Sequence, residues 1–194
     1  MMTGNTVSAK SLGKAFGYLH PKEIELLDRL VKMLPKDPLV VNIGAGVGTS
    51  GLAILEARKD SFLVTVDLYD KVRPEGALGN ERAQMKRCKF LQRRAEICSD
   101  SEIAGENWFD NKNEPWWRRK VDMVFHDAEH EVVGVTAEIE AWTPRVRAHG
   151  IIAVHDYGSE HWGGVVNTVD KLLRPKFKFI DHADTLIAFR KEKP

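Results

Sequence analysis

The sequence predicts an α/β fold: a single doubly wound, mainly parallel seven-stranded sheet with an antiparallel last strand. Two patterns and one motif predict it. Short apolar runs alternate with amphipathic stretches of helical length along most of the 194 residues. Most of these runs are apolar on both faces, as expected for strands that helices cover on both sides. The first run leads into a glycine-rich turn, which is typical of the connection between a parallel strand and the next helix.

The individual elements follow in order from these patterns. Residues 1–17 are polar and are predicted to be a flexible lead-in; apolar residues at helical spacing predict a helix within 18–36, which Pro35 ends. The core is predicted over 38–190, so that the whole chain, 1–194, forms one domain. Within the core we predict strands over 39–43, 62–68, 96–99, 121–125, 151–154, 177–181 and 185–190. The helices between them are predicted over 49–58, 79–94, 132–146 and 162–173.

Residues 182–184 are too few for a parallel crossover, so the last two strands should pair antiparallel.

Two other segments each allow two interpretations. Residues 101–120 are polar but contain three tryptophans, and form either a helix with a loop or a mobile cover over a site. Among them, Trp116 and Trp117 either anchor a surface loop or form an aromatic wall for a substrate. The six basic residues of 81–94 are either a solvated helix face or a site for an anionic ligand.

The composition argues against several functional classes. The net charge is +1, so nucleic acid is not an expected partner. No apolar run is long enough to span a bilayer, and the polar N-terminal residues lack the apolar core of a signal peptide. The two cysteines, Cys88 and Cys98, form no metal-ligand or redox motif. We therefore expect a cytoplasmic protein without a membrane partner, and the sequence leaves open whether it forms a homo-oligomer.

The glycine-rich turn is the strongest sign of a ligand site. Gly44, Gly46 and Gly48 follow the first strand, and Thr49 and Ser50 begin the next helix. Glycine adopts backbone angles closed to other residues and lets a ligand lie against bare backbone. The free N–H groups of the helix would point at that ligand. The turn therefore predicts a site for a nucleotide-like cofactor.

Acidic residues follow four of the predicted strands. Asp67, Asp100, Asp127 and Asp156 stand at or just after the strand ends. Asp67 lies 21 residues after Gly46, close to the spacing at which an acid binds ribose hydroxyls. Each acid alone is explained by the preference of Asp for turns and helix caps. Four together at the carboxyl edge of a parallel sheet indicate a ligand site, because ligands bind at this edge.

At this point the chain resembles the class I S-adenosylmethionine-dependent methyltransferases over roughly residues 38–190. The resemblance rests on residues 42–48, on Asp67 and on the order of the elements with their closing antiparallel pair. A more specific part, residues 121–130 followed by 150–157, is similar to small O-methyltransferases grouped with the macrocin O-methyltransferases and the cephalosporin hydroxylase-associated proteins. The resemblance implies a Rossmann-like methyltransferase fold, S-adenosylmethionine as cofactor and transfer of a methyl group to a hydroxyl of a small-molecule acceptor.

The resemblance also implies roles for individual residues. Asp67 would take the ribose hydroxyls, and Asp100 and Ser101 would lie near the adenine. The residues implied to bind the cofactor are Asn42, Gly44, Gly46, Gly48, Thr49, Ser50, Asp67, Leu68, Asp100, Ser101 and Asp127. A divalent metal such as Mg²⁺ would be held by Asp127 and Asp156, with His155 as a neighbour. Two positions depart from the family pattern: Asn42 replaces an acid, and Tyr157 replaces an amide that completes the metal shell.

Three histidines lie close to these acids. His130 comes three residues after Asp127 and is a candidate general base, since the ordinary pKa of histidine is near 6.5. A hydrogen bond at the helix start explains His130 equally simply. His126 and His155 each precede a strand-end acid, and alternation along a strand would direct them to the face opposite that acid. Structural hydrogen bonding is the simplest role for both.

Three other readings of the same residues stay open. Residues 126–130 match the H-x-x-E-H pattern of zinc peptidases, but that motif needs a helix and the segment begins in a predicted strand. The three glycines make G-x-G-x-G, whereas the nicotinamide dinucleotide fingerprint needs its third glycine three residues after the second. A module that binds S-adenosylmethionine or its product without catalysis would share every one of these features, because a fold does not fix a function.

Overall fold

A computed structural model describes residues 8–16, 18–69, 77–110 and 114–193. Seven strands form one sheet in the order β3-β2-β1-β4-β5-β7-β6. They span Leu39–Ile43 (β1), Phe62–Asp67 (β2), Arg94–Cys98 (β3), Val121–His126 (β4), Val146–Val154 (β5), Lys178–Ala183 (β6) and Leu186–Arg190 (β7). The first five strands pair in parallel, whereas β7 pairs antiparallel with both β5 and β6. The predicted fold class is confirmed.

Seven α-helices are present among the described residues. They span Ala9–Phe16 (α1), Pro21–Lys32 (α2), Thr49–Ala57 (α3), Ala77–Arg87 (α4), Ser101–Glu106 (α5), Val132–Trp142 (α6) and Gly163–Leu172 (α7). None of the helices in the described part of the chain is long and apolar enough to cross a membrane.

The sheet has a separate hydrophobic core on each face. Along β1, Val40 packs with α1, α2 and α3 on one face, whereas Leu39, Val41 and Ile43 pack with α6 and α7 on the other. The same alternation runs through β4 and β5. This period of two is what makes each strand apolar on both faces.

The N-terminal segment differs from the prediction. Residues 1–17 were expected to be a flexible lead-in, but Ala9–Phe16 form α1, while residues 1–7 and 17 lie outside the described residues. Ala9 is fully buried, and its backbone N–H donates to Oε2 of Glu56 on α3 (3.2 Å). Because this contact lies 47 residues away along the chain, local sequence gave no sign of it.

Two element boundaries also differ from the predictions. The helix predicted over 79–94 ends at Arg87, and Lys89 has a left-handed backbone (φ 61°). The helix predicted over 132–146 ends at Trp142, and β5 begins already at Val146. A short 3-10 helix, Thr143–Arg145, lies between them with proline in its first turn. Helical periodicity by itself does not fix such ends.

The basic stretch is not an entirely solvated helix face. Arg94 ion-pairs with the fully buried Glu81 (2.8 Å) and with Glu96 (3.0 Å). Arg93 donates to the carbonyl oxygens of Leu55 and Arg58 (2.9 and 2.7 Å). These two arginines therefore use their charge to join the β3 end of the segment to the rest of the domain.

The tryptophans of residues 101–120 form a cluster on the α6 face of the sheet. Trp108 is buried, and its ring lies 5.7 Å from those of both Trp116 and Trp117. Trp116 stacks on Trp117 at 4.8 Å, and both rings border a shallow groove beside β3. Of the two roles left open, the structure supports that of a loop anchor. Residues 111–113 of this segment lie outside the described residues.

Candidate functional site

A cavity of about 460 Å³ lies at the carboxyl ends of β1 to β5. Twelve of the residues singled out from the sequence border it: Gly44, Gly46, Thr49, Ser50, Asp67, Leu68, Asp100, Ser101, Asp127, His130, His155 and Asp156. Two others, Asn42 and Gly48, do not. Asn42 is buried beneath the turn, and Gly48 faces the side chain of Glu81 instead. The predicted site is thus brought together at one edge of the sheet.

Gly44 and Gly46 meet different steric requirements in the turn. A Cβ at Gly44 (φ 85°) would collide with the backbone carbonyl of Asp127, so this glycine lets the ends of β1 and β4 approach each other. A Cβ at Gly46 (φ 51°) would meet nothing within 4 Å among the described residues. Gly46 therefore leaves bare backbone at the cavity wall, where a ligand can approach.

Asp67 is fixed by the backbone around it. Its Oδ2 accepts from the N–H of Ala45 in the turn (2.6 Å), and its Oδ1 accepts from the N–H of Tyr69 (2.5 Å). Each carboxylate oxygen has a further lone pair, so these bonds leave Asp67 able to accept from a ligand hydroxyl. The carboxylate borders the cavity directly beside the glycine turn.

The next strand end supplies Asp100 and Ser101. Asp100 caps α5, because its Oδ1 accepts from the N–H of Glu102 (2.9 Å). Ser101 donates from its hydroxyl to Oε2 of Glu138 on α6 (2.8 Å). Asp100 is therefore a helix cap, which was the simple explanation for a single acid at a strand end. It also borders the cavity.

At the ends of β4 and β5, three side chains converge. One ligand atom from each of Asp127, His130 and Asp156 lies within 4.8 Å of the others. His130 bonds through Nε2 to Oδ2 of Asp156 (3.0 Å), and its ring packs on Trp162 at 4.4 Å. That hydrogen bond raises the pKa of His130. Burial raises the pKa of Asp127, against the opposing effect of the charge on His155.

His155 does not lie where alternation from Asp156 predicted it, away from the site. Its Nδ1 lies 2.9 Å from Asp127 and 3.4 Å from Asp156, and its Nε2 lies 3.3 Å from Glu23 on α2. The cause is the register of the sheet. His126 pairs with Val154, so His155 comes beside Asp127, and the left-handed backbone of Asp156 (φ 60°) turns that carboxylate back towards it.

These contacts also favour the protonated form of the His155 imidazole. Burial would lower its pKa, but the charge and hydrogen bond of Asp127, with the bonds to Asp156 and Glu23, raise the pKa to about 12. With a carboxylate beside each nitrogen, the ring is placed to donate from both, and neither nitrogen is directed at a shared metal position. The group in the described residues whose ligand atoms could share one metal ion is Asp127, His130 and Asp156, so it contains both predicted acids and His130 but not His155.

His126 is directed to the opposite face, as predicted. Its Nδ1 bonds to Oε1 of Glu138 (2.7 Å), and its Nε2 has no hydrogen-bond partner in the described part of the chain. Because His126 ends a strand and points away from His130, the two cannot share one face of a helix. The H-x-x-E-H zinc site is therefore excluded.

Tyr157 is not part of the acidic cluster. Its hydroxyl donates to Oδ1 of Asp170 (3.0 Å) in the last turn of α7 and accepts from Arg174 (2.6 Å) just after that helix. Tyr157 therefore gives this cluster no oxygen ligand, and the third group beside Asp127 and Asp156 is the imidazole of His130.

Sequence reasoning missed four residues of this region. Tyr18, Leu19 and Trp162 border the cavity, and Glu23 lies directly behind His155. Tyr18, Leu19 and Glu23 come from the N-terminal region, which contributes to the cavity wall and contacts His155 at the end of β5. The sequence contains one sign of Glu23: helical spacing places this acid on the otherwise apolar face of α2.

The chain matches a known protein family and is similar in fold to several solved structures. A family model described as a methyltransferase domain matches residues 41–157. A solved structure of the O-methyltransferase TomG from Streptomyces achromogenes, in complex with S-adenosylmethionine, has a TM-score of 0.71 at 13% identity, covering 96% of this chain and 88% of that one. A methyltransferase from Geobacter sulfurreducens has a TM-score of 0.69 at 11% identity, covering 95% and 86%. An rRNA methylase from Streptococcus thermophilus has a TM-score of 0.62 at 18% identity, covering 90% and 98%. No curated protein sequence matches the chain.

Proposed function

We propose that this chain, which belongs to the methyltransferase domain family matched over residues 41–157, transfers the methyl group of S-adenosylmethionine to a hydroxyl of a small molecule. The family membership makes it a class I S-adenosylmethionine-dependent methyltransferase. The observation that carries the rest of the proposal is the pairing of His130 with Asp156, in the same cavity as Gly46 and Asp67.

The cofactor would occupy the half of the cavity formed by the ends of β1 to β3. Its methionine part would lie against the backbone of Gly46, and its ribose hydroxyls would donate to Asp67. Leu68, Asp100 and Ser101 border the place left for the adenine. Thr49 supports this placement, because the residue borders the cavity and its hydroxyl is buried without a hydrogen-bond partner among the described residues.

The acceptor would occupy the other half, between His130, Asp156 and Trp162. A hydroxyl must lose its proton as it attacks the methyl carbon, and a histidine held by a carboxylate is suited to take that proton. The bond to Asp156 fixes the N–H at Nε2, so Nδ1 of His130 is the nitrogen that accepts the proton. The raised pKa of His130 makes it a stronger base for this step. Holding the two reactants in line supplies much of the remaining acceleration.

A divalent metal is the second candidate for activating the hydroxyl, and the convergence of three ligand atoms favours it. Asp127, His130 and Asp156 would hold the ion. Two carboxylates and one imidazole suit Mn²⁺ or another transition ion as well as Mg²⁺, which prefers oxygen ligands. When bound, such an ion would lower the pKa of the acceptor hydroxyl. The two candidates differ in the role of His130, which is a base in one and a ligand in the other.

The test combines binding with turnover. Calorimetry should detect S-adenosylmethionine and S-adenosylhomocysteine but not NAD, and mass spectrometry should detect one added methyl group on members of a panel of phenols, catechols and sugars. Activity that survives EDTA supports His130 as the base, whereas activity lost in EDTA and restored by Mg²⁺ or Mn²⁺ supports the metal. Methylation of amines alone would contradict the hydroxyl acceptor. Binding of both ligands without methylation of any acceptor would favour a non-catalytic binding module.

A further inference from the structure

Glu23 is a buried carboxylate that lies outside the matched family region and joins three parts of the chain. It is 2% exposed. It accepts from the backbone N–H of His20 (2.7 Å), and from the N–H and hydroxyl of Thr185 (2.9 and 2.7 Å). Its Oε2 also lies 3.3 Å from Nε2 of His155. The start of α2, the β6–β7 turn and the end of β5 therefore meet at one carboxylate.

His155 transmits the position of Glu23 to the acids of the cavity. An imidazole has two nitrogens on opposite sides of the ring, so a partner at Nε2 determines where Nδ1 points. With Nε2 held by Glu23, Nδ1 is directed between Asp127 (2.9 Å) and Asp156 (3.4 Å). Because the same ring nitrogen faces both carboxylates, its position sets where the two acids lie relative to each other.

We propose that Glu23 is a positioning residue for methyl transfer, which acts through His155 to hold Asp127 and Asp156 in the arrangement that His130 and the acceptor require. This inference rests on the proposed function. Without Glu23, His155 can turn away from the acids, and Asp156 then loses the neighbour that orients it towards His130. The cofactor half is fixed separately by backbone bonds to Asp67, so binding of S-adenosylmethionine does not depend on Glu23.

The molecule contains a matched control for this residue. Glu138 forms the same kind of buried pair with His126, and both side chains are 2% exposed. This pair lies on the other face of the sheet, and His126 makes no hydrogen bond to Asp127 or Asp156 among the described residues. Removing either glutamate charge disturbs a buried pair. Glu138 also accepts from Ser101 on the cofactor side, which can affect cofactor affinity but not kcat at saturating cofactor, and only Glu23 connects to Asp127 and Asp156.

The experiment compares Glu23→Gln with Glu138→Gln in the full chain, at saturating S-adenosylmethionine. We expect Glu23→Gln to lower kcat about 10- to 100-fold, less than the roughly 10²- to 10⁴-fold that a general acid–base group itself contributes, while its S-adenosylhomocysteine affinity stays within about threefold. Glu138→Gln should lower the melting temperature similarly and keep kcat within about threefold. Equal losses of kcat in both variants, or an unchanged kcat in Glu23→Gln, would overturn the inference.

A double-variant cycle tests whether Glu23 acts through His155. If it does, Glu23→Gln combined with His155→Gln should lose no more kcat than His155→Gln alone, because the second change removes the same function. Losses that multiply would show that Glu23 serves the fold independently and would overturn the inference. If Glu23→Gln does not fold, Glu23→Asp keeps the charge but withdraws it from His155, and the same outcomes apply. Absence of methyl transfer in the unaltered chain would instead contradict the proposed function.

Discussion

The two halves of the cavity are held in place by different kinds of bond. At the cofactor half, Asp67 accepts from backbone amides 2 and 22 residues away. At the acceptor half, Asp127 and Asp156 are held by the side chains of His155 and His130, and His155 reaches Glu23 across 132 residues. Backbone donors stay fixed as long as the turn is formed, whereas each side chain can be replaced singly. The chemistry of the acceptor half can therefore change while the cofactor half stays intact.

The two His-Asp dipeptides show how the acceptor half arises. His126-Asp127 and His155-Asp156 are alike in sequence and follow neighbouring parallel strands. His126 supports the fold through Glu138, whereas His155 lies between the two acids. A shift of one residue in the register places His155 beside Asp127, so the two dipeptides have different roles.

The largest expected effect concerns His130. Replacing His130 by Gln should lower kcat by about 10² to 10⁴, because the group that takes the acceptor proton is lost. The affinity for S-adenosylhomocysteine should stay within about threefold, because the cofactor half is untouched. Steady-state kinetics and calorimetry measure the two quantities. His161→Gln, a change at a nearby exposed histidine, is the control and should leave both unchanged. A large loss of cofactor affinity in His130→Gln would show that the two halves are not separate.

Asp67 should show the opposite pattern. Asp67→Asn should weaken S-adenosylmethionine binding about 10- to 100-fold, since a hydrogen bond to a charged group contributes about 1.5–3 kcal/mol. At saturating cofactor, kcat should remain within about threefold. Calorimetry and kinetics at high cofactor concentration check this expectation, and the exposed Asp110→Asn is the control. If kcat falls and affinity does not, the ribose role of Asp67 is wrong.

The acid stability of the fold should depend on Glu23. Burial would raise the pKa of Glu23, but the hydrogen bond and charge of His155, with the bonds to His20 and Thr185, lower it to about 2 from the ordinary 4.5. The ionised form thus stabilises the folded state fully above about pH 4.5, and this stabilisation is lost as the pH falls towards about 2. Urea unfolding at several pH values should show the destabilisation by Glu23→Gln shrinking as the pH falls from 7 towards 3. A difference that stays constant with pH would contradict this account.

The smallest effect is expected at the tryptophan cluster, outside both halves. Trp116→Ala should lower the free energy of unfolding by about 1 kcal/mol, in keeping with the loss of aromatic pairs with Trp117 and Trp108. The kinetic constants should not change, because Trp116 does not border the cavity. Thermal unfolding and a methyl-transfer assay measure the two results. A raised KM for the acceptor would restore the alternative that this ring forms a substrate wall.

Much of the cofactor half could be predicted from the sequence because its determinants are local. The run 39–43, the glycine turn and Asp67 each follow from alternation and spacing within one strand-turn-helix-strand unit. The prediction was less successful where a contact spans the chain. Helix α1 was predicted to be a flexible lead-in, and Glu23 was assigned no role, because their partners Glu56 and His155 lie 47 and 132 residues away.

The sequence by itself determined the fold class and the edge of the sheet at which the strand-end acids meet. Periodicity sets which residues are buried, and parallel strands place their carboxyl ends on one side. Only the tertiary structure decided which histidine joins those acids. Register depends on how β4 packs against β5, and a shift of one residue along a strand moves a side chain to the other face. For this reason Asp127 has His155 as its neighbour, and His155 links the acids of the cavity to Glu23 on helix α2.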